Sequence, residues 1–292
     1  MLHLIMILLT SLFLWRAPLA DLSAVAQNLP DERTVPEVQA VPTSSEADSS
    51  ERRIDPDDGV DEILEVLETK GGQLNGFTAD VTYAKEDELL GRREIRRGKV
   101  LYSNAKAKRQ FAILFDTVII NRRKENQLRH YVFDGQWLAE VDHANKQFIK
   151  RQIVAPGQTL DPLKIGEGPI PLPVGQARAD VQRRFEVERI ALPSEGPLAT
   201  LPTKPALTGL RLVPKKNTPE AEDFASVDLF YDLETGLPHG ISMVASNGDT
   251  KMVRLTNLIA NPELDDQQQA MLLIQTPDPA QWAIDIRPWK GE

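Results

Sequence analysis

The sequence predicts a mainly β protein of the α+β class, an unclosed antiparallel β-barrel covered by an N-terminal helix and a proline-rich lid loop. Short apolar runs with period-two alternation recur along the chain between turn signals, as in large antiparallel sheets. Helical spacing is confined to one segment near residue 60. The segment from Leu128 to Val154 predicts three consecutive strands, because Asp134-Gly135 and the turn at His143 to Lys146 separate runs rich in aromatic residues.

The predicted helix begins at Val60 and spans about three turns. Its apolar residues recur at helical spacing, and acidic residues crowd its first turn, where they favour the helix dipole. Lys70-Gly71-Gly72 follows, which predicts a basic last turn and a left-handed glycine stop. The residues expected to face the core are Val60, Ile63, Leu64 and Leu67.

The first predicted strand carries Phe77, Ala79, Val81 and Tyr83 on one face. A turn at Glu88 to Gly91 leads to its partner at Ile95 to Tyr102, in which Gly98 suggests a bulge. Further strands are expected at Phe111 to Phe115, Val118 to Asn121, Phe185 to Leu192, Leu207 to Val213, Ala225 to Asp232, Gly240 to Ala245 and Lys251 to Leu258. Met271 to Ile274 and Trp282 to Ile286 are expected to be short strands or extended segments.

The N-terminal residues predict export. Leu2 to Trp15 is an apolar run too short to span a membrane, and Ala24-Val25-Ala26 is a small-x-small cleavage pattern, so residues 1–26 are expected to be a signal peptide. A short uncleaved anchor is the alternative, since no Lys or Arg precedes the run. Residues 27–59 are rich in Pro, Ser and acidic residues and are expected to be a disordered linker. Residues 60–292 are expected to form a single β domain.

Composition argues against several classes of function. A net charge of −9 disfavours a nucleic-acid partner, and the absence of cysteine excludes disulfides. No nucleophile elbow, metalloprotease motif or phosphate-binding glycine loop occurs, so neither an enzyme nor a cofactor is expected. The histidines and adjacent acids that could suggest chemistry are interpreted as structural or solvated: His130, His143, His239, Asp57-Asp58 and Asp265-Asp266.

The stretch from Ala155 to Asp180 combines five prolines with many aliphatic residues. The prolines exclude a regular central strand, whereas a solvated loop needs no aliphatic side chains. The loop is therefore expected to cover an apolar surface. The space beneath it is either a filled core or an apolar cavity, and the pattern alone leaves both open.

The order of elements resembles the periplasmic carriers of outer-membrane lipoproteins, the LolA type. The resemblance spans about residues 60 to 290. It is carried by Phe77 to Val81, Arg97 to Tyr102, Phe133 to Leu138, Leu210 to Lys215, Phe224 to Asp232, Leu237-Pro238, Asn247 to Thr250, Asn257 to Asn261, Leu264 and Thr276-Pro277. It implies a monomeric periplasmic carrier that holds the acyl chains of a lipoprotein, or another lipid, between an inner-membrane release complex and an outer-membrane acceptor.

The resemblance also implies roles for individual residues. The cavity wall would comprise Phe111, Ile113, Phe115, Tyr131, Phe133 and Trp137, and the lid Leu163, Ile165, Ile170 and Leu172. In the family an Arg-Pro pair helps to hold the lid closed. Here Lys106 to Phe111 contains no proline, and Arg109 is the candidate latch. The alternative function is a periplasmic sensor of the same fold that recognises a partner protein; an enzyme with an embedded carboxylate is the third.

Overall fold

The computed structural model describes residues 52–104, 108–158, 162–163 and 174–289. The predicted signal peptide lies outside these residues, as do most of the predicted linker and Ile165, Ile170 and Leu172 of the lid. The helices are α1 (Val60–Gly72), α2 (Arg178–Arg184), α3 (Glu220–Asp223) and α4 (Asp266–Met271). The strands are β1 (Gly76–Asp87), β2 (Arg92–Ser103), β3 (Gln110–Ile120), β4 (Arg123–Phe133), β5 (Trp137–Asp142), β6 (Gln147–Gln152), β7 (Phe185–Ile190), β8 (Leu207–Pro214), β9 (Phe224–Asp232), β10 (Pro238–Ala245), β11 (Thr250–Ala260) and β12 (Ala283–Arg287).

All twelve strands belong to one sheet, in the order β12-β6-β5-β4-β3-β2-β1-β11-β10-β9-β8-β7. The sheet is unclosed, because β12 and β7 form its two edges. Every neighbouring pair is antiparallel except β12 and β6, which run parallel. At the centre, β1 pairs with β11, so that Phe77 lies opposite Ala260. The predicted mainly β class and unclosed sheet are confirmed.

The ladder from β4 to β6 has the predicted form. Phe133 pairs with Leu138 across the first turn, and Asp142 pairs with Gln147 across the second. The side chain of Asp134 accepts hydrogen bonds from the backbone N–H groups of Gln136 and Trp137, at 3.0 and 2.8 Å. These bonds stabilise the first turn and therefore the register of both strands.

Helix α1 covers one face of the sheet. Its buried side chains, Ile63, Leu64, Val66 and Leu67, belong to a single large cluster with apolar residues from both halves of the sheet. The predicted helix is therefore confirmed, but its glycines do not act as a left-handed stop. Gly71 and Gly72 lie inside the helix, and Gln73 caps it in the right-handed region.

Gly71 is required instead for a close approach. A Cβ atom at Gly71 would lie 2.0 Å from the backbone nitrogen of Gly175, whereas a Cβ atom at Gly72 would meet nothing within 4 Å. Gly175 itself adopts φ +71, which favours glycine. The end of α1 and the segment before α2 thus touch backbone to backbone, because both positions lack side chains.

Packing begins before the predicted domain boundary at residue 60. Ile54 is buried, and its N–H donates to the carbonyl oxygen of Leu233 at 2.9 Å. The N-terminal side of α1 is therefore attached to the sheet by a segment whose low apolar content predicts a linker.

The C-terminal region differs from the prediction. Met271 to Ile274 is not a strand: Asp265 forms a capping box with Gln268, which starts α4. Leu272 then packs on the opposite side of the sheet from α1, against Leu101, Ala112 and Val132. The predicted strand near Trp282 exists as β12. In the part of the chain that the structure describes, no helix has both the length and the apolar character that spanning a membrane requires.

Substitutions at two adjacent glycines test the contact between Gly71 and Gly175. We expect Gly71→Ala to lower the free energy of unfolding by about 2 kcal/mol, because the new methyl group would overlap the backbone at Gly175. Gly72→Ala should be neutral or stabilising by up to about 1 kcal/mol, since alanine is the better helix former. Urea unfolding of both variants measures this difference, and equal effects would contradict the contact.

Candidate functional site

The inner face of the sheet, defined as the face that carries α1, holds most of the predicted wall. Successive side chains in a strand point to opposite faces, so the register decides which ones share a face. Five predicted wall residues lie together on the inner face and are between 0% and 9% exposed: Phe111, Ile113, Phe115, Tyr131 and Phe133. The rings of Phe111 and Phe133 stack at 5.6 Å, and Tyr131 meets Phe115 edge-on at 6.2 Å.

Trp137 does not belong to this wall. Phe133 pairs with Leu138, so Leu138 points inward and Trp137, one residue earlier, points to the outer face. Its ring lies beneath the ammonium group of Lys150, which is 4.7 Å from the ring centroid. The prediction gave Trp137 the same face as Phe133, but residues of β5 that share a face with Phe133 are those two apart from its partner Leu138, so the inward position belongs to Leu138.

The cover of the inner face includes one described lid residue. Leu163 is buried within the same apolar cluster, as are Val174 and Val181 on the far side of the lid segment. Arg109, the candidate latch, is half-buried immediately before β3, beside the turn at Gly135. Its role as a latch remains a prediction.

Next to the aromatic wall, the inner face carries buried charged side chains that sequence reasoning missed. They lie on β2, β4 and β5 at positions where an apolar residue would continue the pattern: Glu94, Arg96, Arg129, Glu140 and Asp142. The alternation of faces along each strand could have identified them. Arg129 and Tyr131 share a face with Phe133, and Glu140 shares a face with Leu138. Polar residues at inward positions are informative because burying an unpaired charge is costly.

Most of these charges are paired. Arg129 donates from Nη2 to Asp142 Oδ2, and Arg96 donates from Nε to Glu94 Oε1 at 2.6 Å. Arg96 also donates from Nη1 to the side-chain oxygen of Gln127 at 3.2 Å. Such charge-assisted hydrogen bonds offset the cost of removing the ions from water.

Glu140 differs from the others, because it has an ion pair but no hydrogen bond in the part of the chain that the structure describes. Neither of its carboxylate oxygens has a hydrogen-bond partner among the described residues, although the residue is 4% exposed. The nearest cationic atom is Arg129 Nη1, 3.6 Å from Oε1. Burial raises the pKa of Glu140 to about 7, and Arg129 and Arg151 oppose that shift only in part.

The neighbours of Glu140 titrate differently. The pKa of Asp142 is lowered: burial alone would raise it, but hydrogen bonds from Asn145 and the charge of Arg129 outweigh that effect. Burial, with the charge of Glu140, raises the pKa of Tyr131 to about 12. At neutral pH, Asp142 is therefore ionised and Tyr131 is neutral, whereas Glu140 loses its proton less readily than an exposed glutamate.

His130 and His143 lie apart from the inner face. His130 and His143 are 4.8 Å apart between ring centroids, and Trp282 meets His143 at 5.3 Å. Burial, reinforced by His143, lowers the pKa of His130 to about 4. Within the described ranges, no group of three or more His, Cys, Asp or Glu residues could hold a metal ion.

No protein-family model matches this sequence, and no curated protein matches it at a significant level. Several solved structures show a distant likeness. The Pseudomonas aeruginosa MucA/MucB complex contains a chain with 15% identity and a TM-score of 0.41, over 74% of this chain and 63% of that chain. A further MucB structure has a TM-score of 0.39 at 14% identity over 71% of this chain, which spans only 60% of the length of that chain.

Two other structures are similar over nearly their full length. A domain of a putative outer membrane lipoprotein-sorting protein from Vibrio parahaemolyticus has 8% identity and a TM-score of 0.31, over 74% of this chain and 98% of that chain. A LolA superfamily protein from Nitrosomonas europaea has 11% identity and a TM-score of 0.28, over 72% and 96%. At these values the likeness is distant and assigns no activity or partner.

Proposed function

We propose that this protein is a periplasmic carrier that shelters the acyl chains of a lipoprotein, or of another amphiphile, between α1 and the inner face of its sheet. The observation that carries the proposal is the composition of that face. Aromatic and aliphatic side chains form a continuous apolar surface, which ends at buried charges. A surface with one apolar and one polar part is suited to a molecule with a hydrocarbon chain and a polar head.

The energetics suit such a cargo. Each methylene group removed from water contributes roughly 0.8 kcal/mol. A chain of about a dozen carbons therefore gains on the order of 10 kcal/mol, from which the costs of association are subtracted. Carriage of this kind needs no covalent chemistry, cofactor or metal ion.

Entry of cargo requires the cover to move. The wall residues are almost fully buried and belong to one apolar cluster with α1 and Leu163, so an acyl chain must replace some of the contacts within that cluster. The outer attachments of α1 are weak: Arg178 meets Glu65 at 3.5 Å at the surface, and its N–H donates to Glu68 at 3.0 Å. Since exposed ion pairs contribute little, the main resistance to displacement of α1 comes from its buried apolar contacts, and these are the contacts that an acyl chain would replace.

The apolar N-terminal run supports the periplasmic location. In that compartment the carrier would take cargo from an inner-membrane release complex and pass it to an outer-membrane acceptor. The protein would act as a monomer, because a cargo enclosed by one sheet and its own cover needs no second chain.

A second candidate function is a sensor that recognises a partner protein. The observation that favours it is the turn between β1 and β2, where Leu89 is 92% exposed and Leu90 is 71% exposed. Two adjacent leucines on a hairpin tip form an apolar contact that a partner could cover. This surface is separate from the inner face, so variants can distinguish the two functions.

The carrier function predicts position-specific cross-linking. With p-benzoylphenylalanine in place of Phe115, ultraviolet light should join the protein to the acyl chain of a bound lipoprotein or phospholipid, because Phe115 faces the cover. The same replacement at Trp137, on the outer face, is the matched control. Mass spectrometry of both products checks this. Equal labelling at both positions, or no lipid in the purified protein and none after incubation with acylated peptide, would exclude the carrier.

The sensor function predicts that partner binding depends on Leu89 and Leu90 and not on lipid. The double variant Leu89→Ser, Leu90→Ser should lose a stable partner complex while it retains lipid cross-linking at Phe115, since the two surfaces do not overlap. Size-exclusion chromatography with and without lipid measures the complex. If the complex forms only with lipid-loaded protein and survives both substitutions, the second function is rejected.

A further inference from the structure

Glu140 and two neighbouring arginines have buried polar atoms that lack a hydrogen-bond partner within the described structure. Both oxygens of Glu140 lack a hydrogen-bond partner among the described residues, as do the Nε atoms of Arg129 and Arg151, and all four atoms are shielded from solvent. The other neighbours are occupied: Arg129 Nη2 binds Asp142, and Arg96 binds Glu94 and Gln127. A buried polar atom without a partner costs free energy comparable to a lost hydrogen bond.

The atoms without a partner include both hydrogen-bond acceptors and hydrogen-bond donors. Glu140 offers acceptors, whereas the two arginine Nε–H groups are donors. Their strands are neighbours, because β5 lies between β4 and β6 in the sheet. Glu140 pairs with Tyr131 on one side and with Ile149 on the other, and Arg151 pairs with Leu138. These unmatched atoms therefore lie side by side on three adjacent strands of the inner face.

The apolar wall begins at the same place. Tyr131, opposite Glu140, is also paired with Ile113 on β3, and Leu138 is paired with Phe133. A hydrocarbon chain that starts at Glu140 would therefore run directly onto Tyr131, Ile113 and Phe133. A small polar head would remain next to Glu140.

We infer that Glu140 and the Nε atoms of Arg129 and Arg151 form a head-group site for an uncharged amphiphile whose head both donates and accepts hydrogen bonds, such as a fatty amide. The amide N–H would donate to Glu140, and its carbonyl oxygen would accept from an arginine Nε–H. The inference rests on the proposed carrier function, and it selects one chemical class of cargo head. A carboxylate head would meet the charge of Glu140, and a head that only accepts would leave Glu140 without a donor.

A stability measurement tests the premise that Glu140 is unmatched in the free protein. The pKa of Glu140 is raised from its ordinary value of 4.5 to about 7, so the folded state binds the proton more tightly than the unfolded state. The stability from this group is fully present below pH 4.5 and is lost as the pH rises through 7. The surrounding charged groups are Arg96 on β2, Arg129 on β4, Asp142 on β5 and Arg151 on β6.

Glu140→Gln removes the titrating group and keeps the shape. We expect its melting temperature to exceed that of the wild type by on the order of 5 °C at pH 8, and by much less at pH 5. Glu125→Gln, at an exposed position on β4, is the control and should show no such dependence. A Glu140→Gln variant that is less stable than the wild type at pH 8 would mean that the carboxylate is already satisfied, which overturns the inference.

The ligand test compares three compounds that have the same twelve-carbon chain but different polar head groups. The affinities of dodecanamide, methyl dodecanoate and dodecanoate are measured by displacement of a bound apolar fluorophore at pH 8. The wild type should bind dodecanamide about tenfold more tightly than methyl dodecanoate, as one hydrogen bond to a charged group implies. Glu140→Leu should abolish this preference while it retains affinity for the ester, whereas Glu125→Leu should keep it.

The outcomes separate the inference from the function on which it rests. If all three compounds bind the wild type with equal affinity, or if the preference survives Glu140→Leu, the head-group site is wrong and the carrier stands. If none of the three displaces the fluorophore, both the head-group site and the proposed carrier function are overturned.

Discussion

The structure depends on the register of the hairpin between β4 and β5. The carboxylate of Asp134 holds the turn by accepting two backbone hydrogen bonds, and Phe133 consequently pairs with Leu138. Because side chains alternate between faces, this one pairing directs an apolar residue and a charged residue of each strand inward. A shift by one residue would reverse every position and bury Trp137 instead.

The same alternation places charges against an apolar wall. In water, Arg129 and Asp142 would interact weakly, but their attraction increases when neighbouring aromatic rings exclude solvent. Arg129 and Asp142 are joined by a charge-assisted hydrogen bond, whereas Glu140 lies in the same low-dielectric surroundings with an ion pair to Arg129 at 3.6 Å but no hydrogen bond from any described residue. The inner face thus combines a hydrogen-bonded ion pair with a neighbouring acid that accepts no hydrogen bond from the described residues, and this difference gives the site its chemical character.

Much of the fold could be predicted from local patterns. Period-two alternation located most strands from β1 to β11, and helical spacing located α1, because both patterns are set by burial of one face. The segments Phe111 to Phe115 and Val118 to Asn121, predicted separately, belong to the single strand β3 except for Asn121, which lies in the following turn. The parallel pairing of β12 and the close contact of Gly71 could not be predicted, since each depends on a partner distant in sequence. For the candidate site, alternation brought five wall residues together, but Trp137 was misplaced because its face depends on the pairing of Phe133 with Leu138 across the turn. Glu140 was missed because hydrophobic patterns count only apolar residues.

The pairing of β1 with β11 sets an order in which the chain can fold. β1 pairs with β2 in a local hairpin. Its other edge remains unpaired until β11, which ends at Ala260, has been synthesised. Closing so long a segment costs entropy before the contact compensates for it, so the two halves of the sheet join late. During that interval β1 is an exposed edge with apolar side chains, which is the kind of surface that aggregates or recruits a folding helper.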